Sequence, residues 1–153
     1  MIYVATENGG IFRSLDGGTT WSANLTSPEL PGVMITRIET HPRDAHDVYV
    51  TVANNGNRHV FRSTDAGSHW ADIDGGQVPD APCHALLIRG DRDNELYVAG
   101  DAGVLCTRDG GATWENLTGN LPNTMFVDLV YQEPTKTLFV ATYGRSIWKL
   151  RLE

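Results

Sequence analysis

The chain has 153 residues, of which 41% are hydrophobic and 20% charged, and its formal net charge is -7. That length supports one domain with a real core and is short for two, and the composition is globular rather than disordered. The acidic balance repels phosphate backbones, so nucleic acid is not an expected partner. No window of about eighteen apolar residues occurs, so no membrane span is expected either.

The first element begins almost at once. "MIYVATENGG" (Met1–Gly10) lacks the basic and apolar regions of a signal peptide and reads as a strand, "IYVAT". A cytoplasmic protein, or a secreted one whose leader is absent from this chain, fits equally. Next comes the octamer "SLDGGTTW", Ser14 to Trp21, which returns as "STDAGSHW" (Ser63–Trp70) and "TRDGGATW" (Thr107–Trp114). The tryptophans stand 49 and then 44 positions apart. The first strand keeps the same step: "IYVAT" at Ile2, "VYVTV" at Val48, "LYVAG" at Leu96 and "LFVAT" at Leu138. Short β runs recurring every 40 to 50 residues, as here, are the mark of a propeller blade.

Within the second unit, "MITRIETHP" is expected as the inner strand A, followed by "DVYVTVAN" (B), "HVFRST" (C) and "HWADI" (D). The third unit repeats this order as "HALLIRG", "ELYVAGD", "VLCTR" and "TWENL". "PRDAHD", "DRDNE" and "EPTKT" are polar A–B turns. The expected fold is therefore an all-β propeller of about four blade-equivalents, with units near 1–26, 33–74, 83–118 and 125–153. Counting strands gives B-C-D, A-B-C-D, A-B-C-D, A-B-C, fourteen in all with both outer blades incomplete. Incomplete outer blades leave apolar faces, and a homodimer that completes the ring is the expected partner arrangement. A small closed four-bladed monomer, or a piece whose partner half is another chain, is the alternative.

The octamer falls at the C–D turn. Its Asp is suited to accept N–H groups of its own turn, and its Gly to take a positive φ. The Trp is expected to pack beneath the turn, where burying the ring contributes about 2–3 kcal/mol. These are mechanical roles. Cys83 and Cys106 read as buried thiols, and Asn24 and Asn116, which head repeated N-L-T sequons, as repeat positions rather than sugar acceptors.

The octamer resembles the Asp-box, or BNR repeat, S-x-D-x-G-x-T-W. Ser14, Asp16, Gly18, Thr20 and Trp21 match it in full. Ser63, Asp65, Gly67 and Trp70 match in the second copy, where His69 stands for Thr and predicts the loss of one turn hydrogen bond. In the third, Thr107 replaces Ser, and Asp109, Gly111, Thr113 and Trp114 match. "TGNLPN" (Thr118–Asn123) and "ATYGRSIW" (Ala141–Trp148) are similar to the closing blade of such propellers. The family includes sialidases, xyloglucanase-like glycoside hydrolases, sortilin-type receptors and photosystem II assembly factors. The resemblance therefore implies a fold and leaves function open. It also implies that the boxes lie opposite the ligand face.

Catalytic signals are weak. The arginine triad and Tyr–Glu nucleophile of a sialidase have no clear counterparts: Arg13, Arg62 and Arg108 lie beside the boxes, and Tyr143 has no nearby Glu. An inverting hydrolase needs two carboxylates about 6.5–9.5 Å apart, and Asp128 with Asp101 is the one pair that suggests itself. Glu39 and Asp91 are expected on the box side, at the surface. The five histidines form no metal-ligand spacing, and no phosphate loop or serine elbow occurs, so no metal and no cofactor are expected. The expected function is a non-catalytic module binding a protein or glycan, with a glycoside hydrolase-like fragment or relic as the rival. Its ligand face would hold Asn54, Asn55, Asn57, Arg58, His59, Asp101, Asn123, Tyr143 and Arg145.

Overall fold

Thirteen strands in four antiparallel sheets make up the computed structural model, which describes residues 1–152. Blade 1 pairs β1 (Ile2–Ala5) with β2 (Ile11–Ser14). Blade 2 runs β3 (Ile35–His41), β4 (Asp44–Val52), β5 (Val60–Ser63) and β6 (Ala71–Asp72). Blade 3 repeats it with β7 (Cys83–Ile88), β8 (Leu96–Gly100), β9 (Gly103–Thr107) and β10 (Glu115–Asn116). Blade 4 holds β11 (Phe126–Gln132), β12 (Thr137–Thr142) and β13 (Ile147–Arg151), with a short 3-10 turn at Glu133–Thr135. Among the described residues no helix is long and apolar enough to cross a membrane.

One expected strand differs. Strand D of blade 1 runs beside β2, and Ser22 and Leu25 donate their N–H groups to the carbonyls of Arg13 and Ile11 at 2.9 and 2.8 Å. The return bonds go to side chains. Arg13 N–H meets Ser22 Oγ at 3.0 Å and Ile11 N–H meets Asn24 Oδ1 at 3.0 Å. Side-chain oxygens replace the backbone carbonyls, so the segment satisfies its neighbour without forming a ladder. Asn24 Oδ1 and Asn116 Oδ1 also accept from the N–H two residues on, at Thr26 and Thr118 (3.1 and 2.7 Å), which gives the repeated N-L-T a turn-forming use.

The core lies between blades. One apolar cluster joins Ile11, Tyr3 and Leu25 of blade 1 to Val48, Val50, Phe61 and Trp70 of blade 2. A second joins Tyr49, Val60 and Ile73 to Leu86, Leu96, Val98 and Leu105. A third joins Tyr97, Ala99 and Val104 to Phe126, Leu129, Leu138 and Val140. The period-2 alternation explains this: residues of "VYVTV" and its copies point alternately to the blade before and the blade after. Cys83 and Cys106 are buried and free, and burial pushes the Cys83 thiol up to about 12.

The three boxes share one hydrogen-bond set. Ser14, Ser63 and Thr107 each donate to the Asp two residues on at 2.8 Å and accept from the Gly N–H at 2.8 Å. Asp16, Asp65 and Asp109 accept the N–H of Thr20, His69 and Thr113 at 2.9, 2.8 and 2.8 Å. Gly18, Gly67 and Gly111 hold φ of +96°, +90° and +104°. The expected loss at His69 does not occur. Its Nδ1 lies 2.6 Å from Asp65 Oδ2, where Thr20 and Thr113 place their hydroxyls in the other boxes. The ring nitrogen reaches the same oxygen as a threonine hydroxyl.

The box tryptophans act across seams. Trp70 Nε1–H donates to the Leu25 carbonyl of blade 1 at 3.1 Å, and Trp114 Nε1–H to the Ile73 carbonyl of blade 2 at 2.9 Å. The Trp70 ring also passes beneath its own glycine turn, where a Cβ at Gly67 would lie 3.5 Å from it.

Candidate functional site

The boxes sit at the A–B end of the blades, where Ala66 donates to the His46 carbonyl near the start of β4 and Gly110 to the Asn94 carbonyl in the A–B turn of blade 3. A four-stranded meander therefore sends its B–C and D–A loops to the opposite end. Strand A of blades 2, 3 and 4 enters from that end with a bulge, at Ile35/Arg37, Cys83/Ala85 and Phe126/Asp128. A bulge re-aims the side chains around it. Just before each bulge, the carbonyls of Met34, Pro82 and Met125 accept from the N–H of Ala53, Asp101 and Tyr143, at 3.2, 3.0 and 2.9 Å. Asp101 and Tyr143 thus occupy one position in successive blades, at the end that carries the B–C and D–A loops.

Three groups are positioned there. His84, at the bulge of blade 3, places Nε2 3.0 Å from Asp101 Oδ1. Asp128 accepts from the N–H of Leu129 at 3.0 Å and lies 3.6 Å from the Arg37 guanidinium, whose Nε donates to Glu39 at 2.7 Å. Arg37 belongs to blade 2 and Asp128 to blade 4. Blade 3 carries Ala85, buried in its seam with blade 4, at the register that Arg37 and Asp128 hold in their own blades. Beside these polar groups Met34, Met125 and Tyr143 are exposed, Tyr143 by 74%.

The other candidate residues lie apart or are tied down. Asn54 and Asn55 are exposed, and Asn57 donates its side-chain amide to the Asn55 carbonyl at 3.1 Å. Arg58 reaches Asp72 and Asp74, each at 3.3 Å. His59 is buried, with Nε2 3.3 Å from Asp80 and its backbone N–H on Asp74 at 2.5 Å. These two residues bind the B–C loop of blade 2 to its own D–A loop. Asn123 and Arg145 are exposed, and the Arg145 carbonyl accepts from Trp148 Nε1–H at 2.8 Å. Glu39 is on strand A beside Arg37 rather than at a surface turn.

Sequence reading missed two arrangements. Arg89 is buried, grips Asp91 through two 2.8 Å bonds, holds Glu95 at 2.7 Å and the Tyr131 hydroxyl at 2.7 Å, and stacks 4.5 Å over the Tyr131 ring. These contacts carry its charge across the seam between blades 3 and 4 and hold the Asp91 carboxyl below the usual carboxylate range. "DRDNE" carried the partners in plain sight, but nothing marked Arg89 as their centre. The Arg37–Asp128 pair had no local signal, since its members stand in blades 2 and 4, ninety-one positions apart.

Comparison with known proteins follows the same architecture. The family model described as Sortilin, neurotensin receptor 3 (Sortilin-Vps10) matches residues 9–148. A xyloglucanase of Paenibacillus sp is 27% identical over 124 residues, covering 68% of this chain and 12% of that protein. The crystal structure of the GH74 xyloglucanase from Xanthomonas campestris superposes with a TM-score of 0.73 at 16% identity, over 94% of this chain and 25% of that one. YCF48 bound to D1 peptide gives a TM-score of 0.61 at 17% identity, over 99% of this chain and 60% of that one. The chain spans about an eighth of the length of the curated xyloglucanase it matches.

Proposed function

The chain belongs to the Sortilin-Vps10 family, and from that premise we propose that it is a non-catalytic propeller module that binds a protein or glycan ligand at the channel rim of its D–A/B–C loop face. The observation that carries this reading is the pairing at the rim. Asp101 is matched with the His84 ring and Asp128 with the Arg37 guanidinium, so each carboxylate already has a polar partner. Polar side chains held by fixed partners orient the hydroxyls and amides of a ligand well. Exposed Met34, Met125 and Tyr143 add the adaptable apolar and aromatic surface on which sugar rings and peptide side chains pack.

Both ligand classes have relatives behind them, one a xyloglucanase and one solved with a peptide. An array of cell-wall oligosaccharides run beside a peptide array separates them, and Tyr143→Ala is expected to abolish the signal on whichever responds. A second reading, a hydrolase-like fragment or relic, draws on Asp101 and Asp128 sharing one end of the channel. Reducing-sugar release from xyloglucan by the native chain, lost in Asp128→Asn, would establish that reading in place of the first. No release is expected.

A further inference from the structure

Two faces of this chain are built for a seam and have none within it. Each blade has a rear face that meets the blade before and a front face that meets the blade after. On the rear face, Val48, Leu96 and Leu138 are 0–1% exposed, while the residue at the same place in blade 1, Ile2, is 41% exposed. Val50, Val98 and Val140 are likewise buried, and Val4 is 43% exposed. Trp70 is 4% exposed against Leu25, and Trp21 is 44% exposed. On the front face, Ile11, Val60 and Val104 are 0–1% exposed, and Ile147 of blade 4 is 70% exposed beside Val130. Large apolar residues are kept at both open faces in the register that the three internal seams bury.

We propose that blade 4 of one chain docks its front face on blade 1 of a second copy, as each blade inside the chain docks on the next. The internal seams identify the occupant. What covers a front face here is the rear face of an Asp-box blade bearing Ile or Val and a box Trp, and the unoccupied rear face of that type is the chain's own blade 1. Two such contacts, related by a two-fold axis along the channel, join two arcs and use all four faces. The inference is independent of what the rim binds.

The test is the mass of the 153-residue chain in solution at micromolar concentration, by light scattering after size exclusion. The native chain is expected at twice its 16.8 kDa mass. Val4→Glu breaks the rear face and Ile147→Glu the front face, and each alone is expected to run at the single-chain mass with an unchanged far-ultraviolet spectrum. Both residues are exposed, so neither variant disturbs a packed core. An equimolar mixture of the two variants is expected to regain the doubled mass, because one intact front face meets one intact rear face. A native chain at the single mass, a Val4→Glu variant that stays paired, or a mixture that does not recover overturns the proposal.

Discussion

Boxes 1 and 2 make the same internal hydrogen bonds at nearly the same distances, from Ser14 and Asp16 in one and Ser63 and Asp65 in the other. Their tryptophans differ greatly. Trp70 is closed under blade 1 with its N–H on the Leu25 carbonyl, while Trp21 is exposed by 44%. The octamer therefore contains two separable devices. The Ser/Thr–Asp–Gly part ties a turn by itself, and the Trp joins one blade to the blade before. A turn of this kind forms wherever the sequence occurs, but the tryptophan contributes only where a preceding blade exists.

The largest expected effect tests that division directly. Trp70→Ala empties a buried site and strands the Leu25 carbonyl, and is expected to cost about 3–5 kcal/mol in denaturant unfolding. Trp21→Ala, measured in the Val4→Glu background where the outer face stays open, is expected to cost under about 0.5 kcal/mol, as exposed substitutions do. Equal losses at the two sites would mean that the ring serves the turn and not the seam.

Next in size is the turn itself. Thr107 is buried, and Thr107→Val removes the oxygen that accepts from Gly111 N–H and the donor that faces Asp109. A half-buried amide left without its acceptor places the cost at about 1–3 kcal/mol. Smaller, and of opposite sign, is the change at Ala66. That residue holds φ of +60° where boxes 1 and 3 carry Gly17 and Gly110 at +75°. Relief of the left-handed strain in Ala66→Gly, offset partly by chain entropy, is expected to raise stability by about 0.5–1 kcal/mol. A neutral or negative result in thermal melts would show that burial of the Ala66 methyl outweighs its backbone strain.

The smallest effect separates the second box from its neighbours by pH. The Asp65 carboxylate raises the pKa of His69 above its ordinary value, through a hydrogen bond first and charge attraction second. A raised folded pKa gives stability that is complete below the unfolded value and fades as pH climbs through the folded one. Asp16 and Asp109 are instead lowered to about 2, chiefly by the Thr20 and Thr113 hydroxyls, so their contribution holds above the ordinary carboxylate range and fades as pH falls toward that value. The native chain should therefore lose stability relative to His69→Thr between mildly acidic and mildly alkaline solution, while boxes 1 and 3 stay level. A constant difference between the two proteins across that window would remove His69 from the turn.

Much of the fold was legible because its information is periodic. The four copies of "IYVAT" and the three octamers set blade number, strand order and the two faces of each sheet. Three things were hidden. The partners of Trp70 and Trp114 lie more than forty residues upstream, outside any local pattern. The ladder of strand D in blade 1 failed because Ser22 and Asn24 offered side-chain oxygens in place of carbonyls. Arg37 of blade 2 meets Asp128 of blade 4, and no single blade's sequence contains that pairing.

Since every apolar cluster draws on two neighbouring sheets, no blade owns a hydrophobic interior. Cooperativity in such a molecule is a property of couplings, as in a short one-dimensional array. Blades 2 and 3 are each coupled on both sides and blades 1 and 4 of a lone arc on one. Amide protection should accordingly be greatest in β4 and β8 and decline outward in both directions. A lesion between blades 2 and 3 would divide the array into two weakly independent pairs, whereas the same loss at an outer coupling would release one sheet and leave a three-blade remnant standing.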